Sequence, residues 1–466
     1  MPQLFFFCVL YLFGFFILYH CHNLKISAKI SFFLELLVIF LSCYLHLFLA
    51  VLTPNGDSVF FVSIMTRLTE EPFFGFYDRT GITYPPLFNY TYFLLGKLLQ
   101  LLHIPFDWRF RSFIFCIKLP GICCEFLMSF FIYRTAKKYV PEKKRILPLY
   151  LILLNPGYLL VTSYISQVDA LYSFFVLLTL YLIVNHRLKT ACFTFAAGIL
   201  FKFQALFIGP VLLLAIIEQI ILHNFSLRRF FSHLFAGLSA IACIVLSYLP
   251  FLYDFHTGIS TQTGLTHNFT SSVKGYGRAS ANAYNFWTLL GYNLRYDSEY
   301  FGPFPCRIWG ILFIVCLVIL CGVFFFLATR VQRKSPVPQS LSTKPARFFR
   351  PFDSSLYPLL AAFLISGIFC FSMRMMARYL YPAIVLLVYA YALKPTKKRL
   401  GCAVSFSMAF FLNVWCDFMI YPYAAYRREL VLPYLVSFYT IGCFAWLVYT
   451  IISEIKDLQK NTVQER

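Results

Sequence analysis

Residues 30–53, ISFFLELLVIFLSCYLHLFLAVLT, run straight into residues 54–87, PNGDSVFFVSIMTRLTEEPFFGFYDRTGITYPPL. The first stretch is apolar and long enough to cross a bilayer as a helix. Asp57 therefore stands where a membrane helix surfaces. Behind it follow a short amphipathic piece, Glu70, Glu71, Asp78 and then Tyr84-Pro85-Pro86. A carboxylate fixed at the mouth of such a helix suits a general base, a metal ligand or a cation site. Read alone, it equally suits the N-cap of the helix that follows. The rest of the chain has to separate the two.

Composition makes this a polytopic membrane protein. Of 466 residues 60% are hydrophobic and 13% charged, and the mean hydropathy is +0.72, outside the range of soluble domains. Apolar runs recur from end to end, with no room for a soluble domain between them. The formal charge of +21 would suggest nucleic acid in a soluble protein. Here Lys and Arg fall in short loops between apolar runs, which is the positive-inside pattern. The 15 cysteines lie mostly inside those runs, as at Cys116, Cys123, Cys124, Cys243 and Cys370, where they act as small hydrophobes. No spacing of Cys and His resembles a metal site. Residues 4–19 lack a basic leading region and a small-residue cleavage site, so they read as an additional membrane segment.

Loop charge fixes a topology. Lys25 and Lys29 place the start of helix 30–53 in the cytoplasm, so Asp57 emerges on the outer side. Helix 112–134 ends in RTAKKYVPEKKR, with six Lys or Arg in twelve residues, which is cytoplasmic. Parity then lays the stretch 87–103 in the outer interface and makes 54–111 a large outer loop of interfacial helices. Helices 146–164 and 168–185 follow, and the run 190–222 divides in two at Lys202 and Gln204. Beyond it come helix 231–252, an outer loop 253–303, helix 306–328 and a basic linker 329–352. Helices 354–373, 379–393, 400–420 and 431–453 complete the chain, before a cytoplasmic tail 454–466. The total is about 12 or 13 spans.

Four polar clusters fall on the outer side: Asp57 with the acids behind it, Gln167 with Asp169, Lys202 with Gln204, and Arg374 with Arg378. The outer loop adds Lys274, Arg278, Asn282, Asn285 and Arg295. Ionisable groups near membrane depth are costly and usually functional. Cations beside an outer cavity suit a phosphate, and carboxylates suit activation of a hydroxyl. The bland readings are snorkelling for Lys202 and Arg378, and helix capping or an ion pair for Asp169. Glu35, Glu125 and Asp417 sit inside expected helices and read as structural hydrogen-bonding groups. The triplets at Asn89 and Asn268 match a glycosylation sequon, a pattern that also arises by chance.

Several motifs recur in the order of a known family. They are Gly56-Asp57, Tyr84-Pro85-Pro86-Leu87, Lys118-Leu119-Pro120, Leu154-Asn155-Pro156, Gln167-Val168-Asp169, Lys202-Phe203-Gln204-Ala205, Ala281 to Trp287, and Arg378-Tyr379-Leu380-Tyr381-Pro382. Across residues 50–390 the chain resembles the multi-pass GT-C glycosyltransferases. Within these it is most similar to prokaryotic mannosyltransferase-like proteins related to the second mannosyltransferase of GPI-anchor synthesis. More distantly it resembles the ER glucosyltransferases that extend lipid-linked oligosaccharides. The resemblance implies a GT-C-like all-α bundle, a polyprenyl-phosphate (undecaprenyl or dolichyl) sugar donor and an inverting single displacement. It implies a base on the first outer loop, which maps onto Asp57, and donor-phosphate contacts at Lys202 and Arg378. Family members often carry His-Glu directly before that Arg, where this chain has Met376-Ala377; the usual Pro after the Lys is Phe203.

The resulting expectation is a hexosyltransferase that moves mannose or glucose to a lipid-linked or cell-envelope glycan acceptor. Asp57 and Asp169 are its catalytic carboxylates, the latter positioning the acceptor or a divalent ion, Mg2+ or Mn2+. Lys202, Arg374 and Arg378 hold the donor phosphate. Tyr84, Gln167, Gln204, Asn282, Asn285, Trp287 and Tyr379 contact substrate. A catalytic module is expected over 30–252 and a second membrane module over 304–453. The location is a bacterial inner membrane with the site outside, or an ER membrane with the site in the lumen. The competing class is a lipid-linked-sugar flippase or secondary transporter, or a non-catalytic relative. Transporters commonly show internal repeats and midplane polar sites; this chain shows no repeat, and its polar clusters gather on one side.

Overall fold

Each long apolar run of the sequence becomes a helix, and the computed structural model describes these elements over residues 2–20, 28–52, 56–107, 109–222, 226–254, 257–261, 277–333, 353–420 and 431–464. Lys25, Lys274, the sequon at Asn268, residues 334–352 of the basic linker and the turn 421–429 lie outside the described residues. Helices α1 (Pro2–His20) and α2 (Ala28–Ala50) are followed by α3 (Gly56–Glu70), α4 (Phe76–Thr80) and α5 (Pro86–Leu101) of the expected outer loop. Then come α6 (Arg111–Tyr139), α7 (Ile146–Leu153), α8 (Pro156–Tyr158), α9 (Asp169–Val184), α10 (Leu188–Phe201), α11 (Gly209–Ile217) and α12 (Leu227–Leu252). The short α13 (Phe286–Leu289) precedes α14 (Cys306–Arg333), α15 (Tyr357–Phe371), α16 (Tyr381–Leu393), α17 (Lys397–Trp415) and α18 (Leu432–Gln464). Strand β1 (Ser280–Ala281) pairs in parallel with Met375–Met376, tying the late outer loop to the turn that carries Arg374 and Arg378.

Among the described residues nine helical stretches are long and apolar enough to cross a membrane. Four shorter apolar helices fill the remaining expected runs: Phe6–His20, Asp169–Val184, Leu188–Phe201 and Ala377–Leu393. The expectation of 12 or 13 full spans thus becomes nine full-length helices and four short ones. The short ones have a physical reason. Three of them begin or end at a charged residue, Asp169, Lys202 or Arg378, and a helix cannot carry an ionised group further into apolar packing without a partner. Helix α5 is in neither group; it packs on α3, where Lys97 donates to the Thr69 carbonyl at 2.9 Å.

Local chemistry sets the ends that matter. Pro156 lacks an N–H and restricts the residue before it, so the helix entering at Ile146 breaks at Leu153. The Asn155 side chain accepts from the Gly157 and Tyr158 amides at 3.0 and 3.4 Å and starts α8. The chain then widens into a π-type turn, Leu159–Tyr164, and leaves it through Ser166 at φ 73°. The run 190–222 does divide at Lys202, whose backbone is extended (φ −161°, ψ 130°) between α10 and a 3-10 stretch, Phe203–Ile208. One apolar core extends from Tyr11 to Ile455, so the two expected modules share their packing. The sequon residue Asn89 is fully buried and donates to the Tyr77 hydroxyl at 2.9 Å, which leaves its amide enclosed.

At the end opposite Asp57, Arg399 is fully buried. Its Nε and Nη2 each lie 2.6 Å from a Glu454 oxygen, and its Nη1 reaches the Ala390 and Ser355 carbonyls at 2.8 and 3.1 Å. Lys394 adds a contact to Glu454 at 3.2 Å. Helix α18 continues past Glu454 to Gln464. Breaking a buried pair leaves an uncompensated charge. Arg399→Met is therefore expected to cost roughly 3 kcal/mol, read as a lower melting temperature in detergent. The double variant Arg399→Met/Glu454→Met should recover most of that loss, and a double variant as unstable as the single would contradict the assignment.

Candidate active site

Several chain segments meet at a cavity of about 600 Å³. The start of α3 supplies Asp57, the turn before α5 supplies Tyr84, the junction of α10 and the 3-10 stretch supplies Lys202 and Gln204, and the turn before α16 supplies Arg374, Arg378 and Tyr379. Gln167 reaches it from the turn after the π-type segment. The remaining wall holds Thr83, Asp297, Arg307 and Ser372 beside aromatic and aliphatic residues. Of these, Phe60, Leu206 and Ile311 are 47%, 42% and 58% exposed, so the cavity has an apolar flank open to the surroundings of the bundle.

The charges are arranged in pairs. Asp57 accepts a hydrogen bond from Gln167 Nε2 at 2.7 Å. Asp169 is fully buried at the first turn of α9, where the helix dipole favours an anion. Its carboxylate does not cap the helix. Oδ1 accepts from Lys202 Nζ at 2.7 Å, and Oδ2 lies 3.6 Å from Arg378 Nε. Neither Asp169 Oδ2 nor Arg378 Nε completes a hydrogen bond, so this junction keeps capacity for another polar atom. Lys202 closes α10 at its C-terminal end, the end that favours a cation. The Tyr379 ring stands 4.8 Å from Lys202 Nζ and 5.9 Å from the Arg378 guanidinium carbon, giving both a cation–π face.

Arg374 belongs to a different pair. It adopts φ 63° directly before Met375–Met376, which bridge to β1, and its Nε donates to Asp297 Oδ2 at 2.6 Å. Arg307 lines the same side of the cavity. Neither Asp297 nor Arg307 was singled out in the sequence; both lie at the end of a loop and the head of α14, where a polar residue carries no signal. Asp417, read as structural, hydrogen-bonds Asn282 and acts electrostatically on a neighbourhood that includes Arg378 and Asp57.

The structure gathers Asp57, Tyr84, Gln167, Lys202, Gln204, Arg374, Arg378 and Tyr379 around one cavity, with Asp169 directly behind Lys202 and Arg378. It does not bring Asn285 or Trp287 there. Asn285 is fully buried, caps α13 by accepting from the Trp287 and Thr288 amides, and donates to the Phe369 carbonyl. Trp287 is equally buried and donates to the Phe371 carbonyl. Asn282, at φ 57°, bonds to Asn293 within the outer platform. Of the other acids of the first outer loop, Glu71 pairs with Arg67 and Arg79, and Asp78 accepts from Thr261. For a divalent ion the donor set is poor. Among the described residues no three His, Cys, Asp or Glu side chains converge, and Asp169 faces two cations where a metal would stand.

No protein-family model matches the sequence, and no curated protein matches it. Among solved structures, the chain is similar to ArnT from Cupriavidus metallidurans bound to undecaprenyl phosphate, with a TM-score of 0.46 and 14% identity over 92% of this chain and 77% of that one.

Proposed function

We propose that the protein is an integral-membrane glycosyltransferase of GT-C type, moving a hexose from a polyprenyl-phosphate donor to a hydroxyl on a lipid-linked or envelope glycan. The observation that carries this reading is one cavity holding a carboxylate fixed by an amide, a separate pair of cations bridged by a buried acid, and an apolar flank. Such a set fits a substrate with a hydroxyl nucleophile, a phosphate and a hydrocarbon tail.

In the reaction, Asp57 takes the proton of the acceptor hydroxyl as that oxygen attacks the anomeric carbon. The bond from that carbon to the phosphate oxygen breaks on the opposite face, and the phosphate leaves with the electron pair, inverting the centre. A phosphodiester donor carries one negative charge, and the released phosphomonoester carries about −1.5 to −2 at neutral pH. Lys202, Arg378 and Asp169 together carry one net positive charge, which matches the bound donor and attracts the growing charge of the leaving group. Asp169 thus serves as the counter-ion that holds two cations side by side rather than as an acid or base. Tyr379 and Tyr84 border this pocket, and Arg374 with Arg307 flanks it on the side of α14. Mannose and glucose are both candidates for the hexose. Placement of the site on the outer face of a bacterial inner membrane follows from loop charge and the family resemblance.

The test is sugar transfer by the purified protein from radiolabelled undecaprenyl- or dolichyl-phosphate mannose and glucose. Asp57→Asn is expected to lower transfer about 100-fold or more while polyprenyl-phosphate binding is kept. Transfer unaffected by this change would remove Asp57 as the base. A complete absence of transfer with every donor would replace the enzyme by a flippase or transporter. Separately, Lys202→Met should weaken binding of undecaprenyl phosphate about tenfold or more, by removing a charge-assisted contact. Unchanged binding would move the phosphate elsewhere in the cavity.

A further inference from the structure

Two buried charges on α6 take no part in the cavity. Lys118, 3% exposed, sends Nζ to the Ala50 carbonyl at 3.1 Å and to the Tyr164 carbonyl at 3.3 Å. Ala50 is the last residue of α2, and Tyr164 is the last residue of the π-type turn. One ammonium therefore closes the carboxyl ends of two helical segments. Those ends present carbonyls with no acceptor-satisfying N–H further along the helix, and each carries the negative end of a helix dipole.

Glu125 lies seven residues on, along the same face of α6, and grips the same two segments at a second level. Its Oε1 accepts from the Thr162 hydroxyl of the π-type turn and from the Tyr381 hydroxyl, the latter at 2.6 Å. Its Oε2 is 3.2 Å from Nε2 of His46 on α2, and the other ring nitrogen of His46 is 2.5 Å from Ser163 Oγ. Glu125 and Ser163 are fully buried, and His46 and Thr162 nearly so. Between the two grips stands Gly121, where a Cβ would meet Thr162 Cγ2 at 2.9 Å; the close approach of α6 to the turn depends on that glycine.

Both grips lie close in sequence to the reactive groups. Ala50 precedes Asp57 by seven residues, Tyr164 precedes Gln167 by three, and Tyr381 follows Arg378 by three. Just beyond the clamp, Ser58 Oγ and Ser166 Oγ are 2.6 Å apart, and next to them Gln167 bonds Asp57. We infer that Lys118 and Glu125 are positioning residues: α6 clamps α2 and the π-type turn in one register and thereby sets Asp57 against Gln167. The clamp is a matter of geometry; only the use made of that register rests on the transferase reading.

The test reads the register without needing turnover. In the full-length protein, Ser58→Cys/Ser166→Cys places two thiols where the hydroxyls now touch, and mild oxidation joins them, scored by peptide mass spectrometry. Adding Lys118→Met is expected to lower the disulfide yield about fivefold, equivalent to roughly 1 kcal/mol of lost register, and Lys118→Arg to restore it. Glu125→Gln keeps an acceptor for Thr162 and Tyr381 and should fall between the parent and Glu125→Ala. Equal yields in Lys118→Met and parent would overturn the inference, as would a parent pair that does not close. In transfer assays Lys118→Met should lower kcat about tenfold (about 1.4 kcal/mol) with little change in the donor KM, because Lys202 and Arg378 are untouched. A matching rise in KM would overturn the positioning role. Should the unaltered protein transfer no sugar at all, the transferase reading fails while the disulfide yields still decide the clamp.

Discussion

A carboxylate with no exposed surface, Asp169, governs how the bundle is built around the cavity. An unpaired buried charge costs several kcal/mol, and pairing recovers that only with good geometry. The chain meets the condition by ending helices at this point. Helix α9 begins at Asp169, which places an anion at a helix N-terminus, and α10 ends at Lys202, which places a cation at a C-terminus. Each placement is favourable by about 0.3–1 kcal/mol before the two side chains meet. Arg378 arrives from the turn before α16 without such help and depends on the acid facing it. Removing any one of the three leaves the others in apolar surroundings with the wrong net charge.

Helix length then converts the ion cluster into a recess. Helices α9, α10 and α16 have 16, 14 and 13 residues. At 1.5 Å per residue they reach about 20–24 Å, against a hydrocarbon thickness of about 30 Å. Helices α6, α12 and α14 have 29, 26 and 28 residues and reach the full distance. The cavity opens at the ends of the short helices, with α14 as one wall and Tyr84 and Asp297 of the outer loops beside it. Shortness and charge are one design: a longer α9 would carry Asp169 away from Lys202, and a bundle of full spans would have no pocket.

Much of this was legible in the sequence. The apolar runs fixed the helices, loop charge laid 87–103 outside the set of full spans, and Lys202 marked the break between α10 and the stretch that follows. The polar clusters that interrupt the pattern do converge. What the sequence does not carry is which cluster meets which. Lys202 lies 33 residues from Asp169, and Arg374 lies 77 residues from Asp297; nothing local distinguishes these partners from other ions. Arg374 reads as a companion of Arg378 because four residues separate them, yet its own acid comes from the late outer loop. Asn285 and Trp287 mislead for another reason. A motif residue that caps a helix or anchors a core looks the same in sequence as one that touches substrate, and only burial separates the two.

The turn 166–169 settles how one short segment serves two chemical tasks. Ser166 at φ 73° reverses the chain after the π-type turn, so Gln167 and Asp169, two residues apart, face different partners. Gln167 gives an amide hydrogen to Asp57, which fixes the carboxylate without neutralising it. Asp169 gives its whole charge to Lys202 and Arg378, which partly neutralises them. Exchanging these assignments would fail on charge alone. A cation bonded to Asp57 would quench the acid that has to accept a proton, and two cations without Asp169 would repel each other across the place where a phosphate fits. The proposed transfer needs both an unneutralised acid and a moderated cation pair within one cavity. A single turn, held from behind by α6, delivers them together.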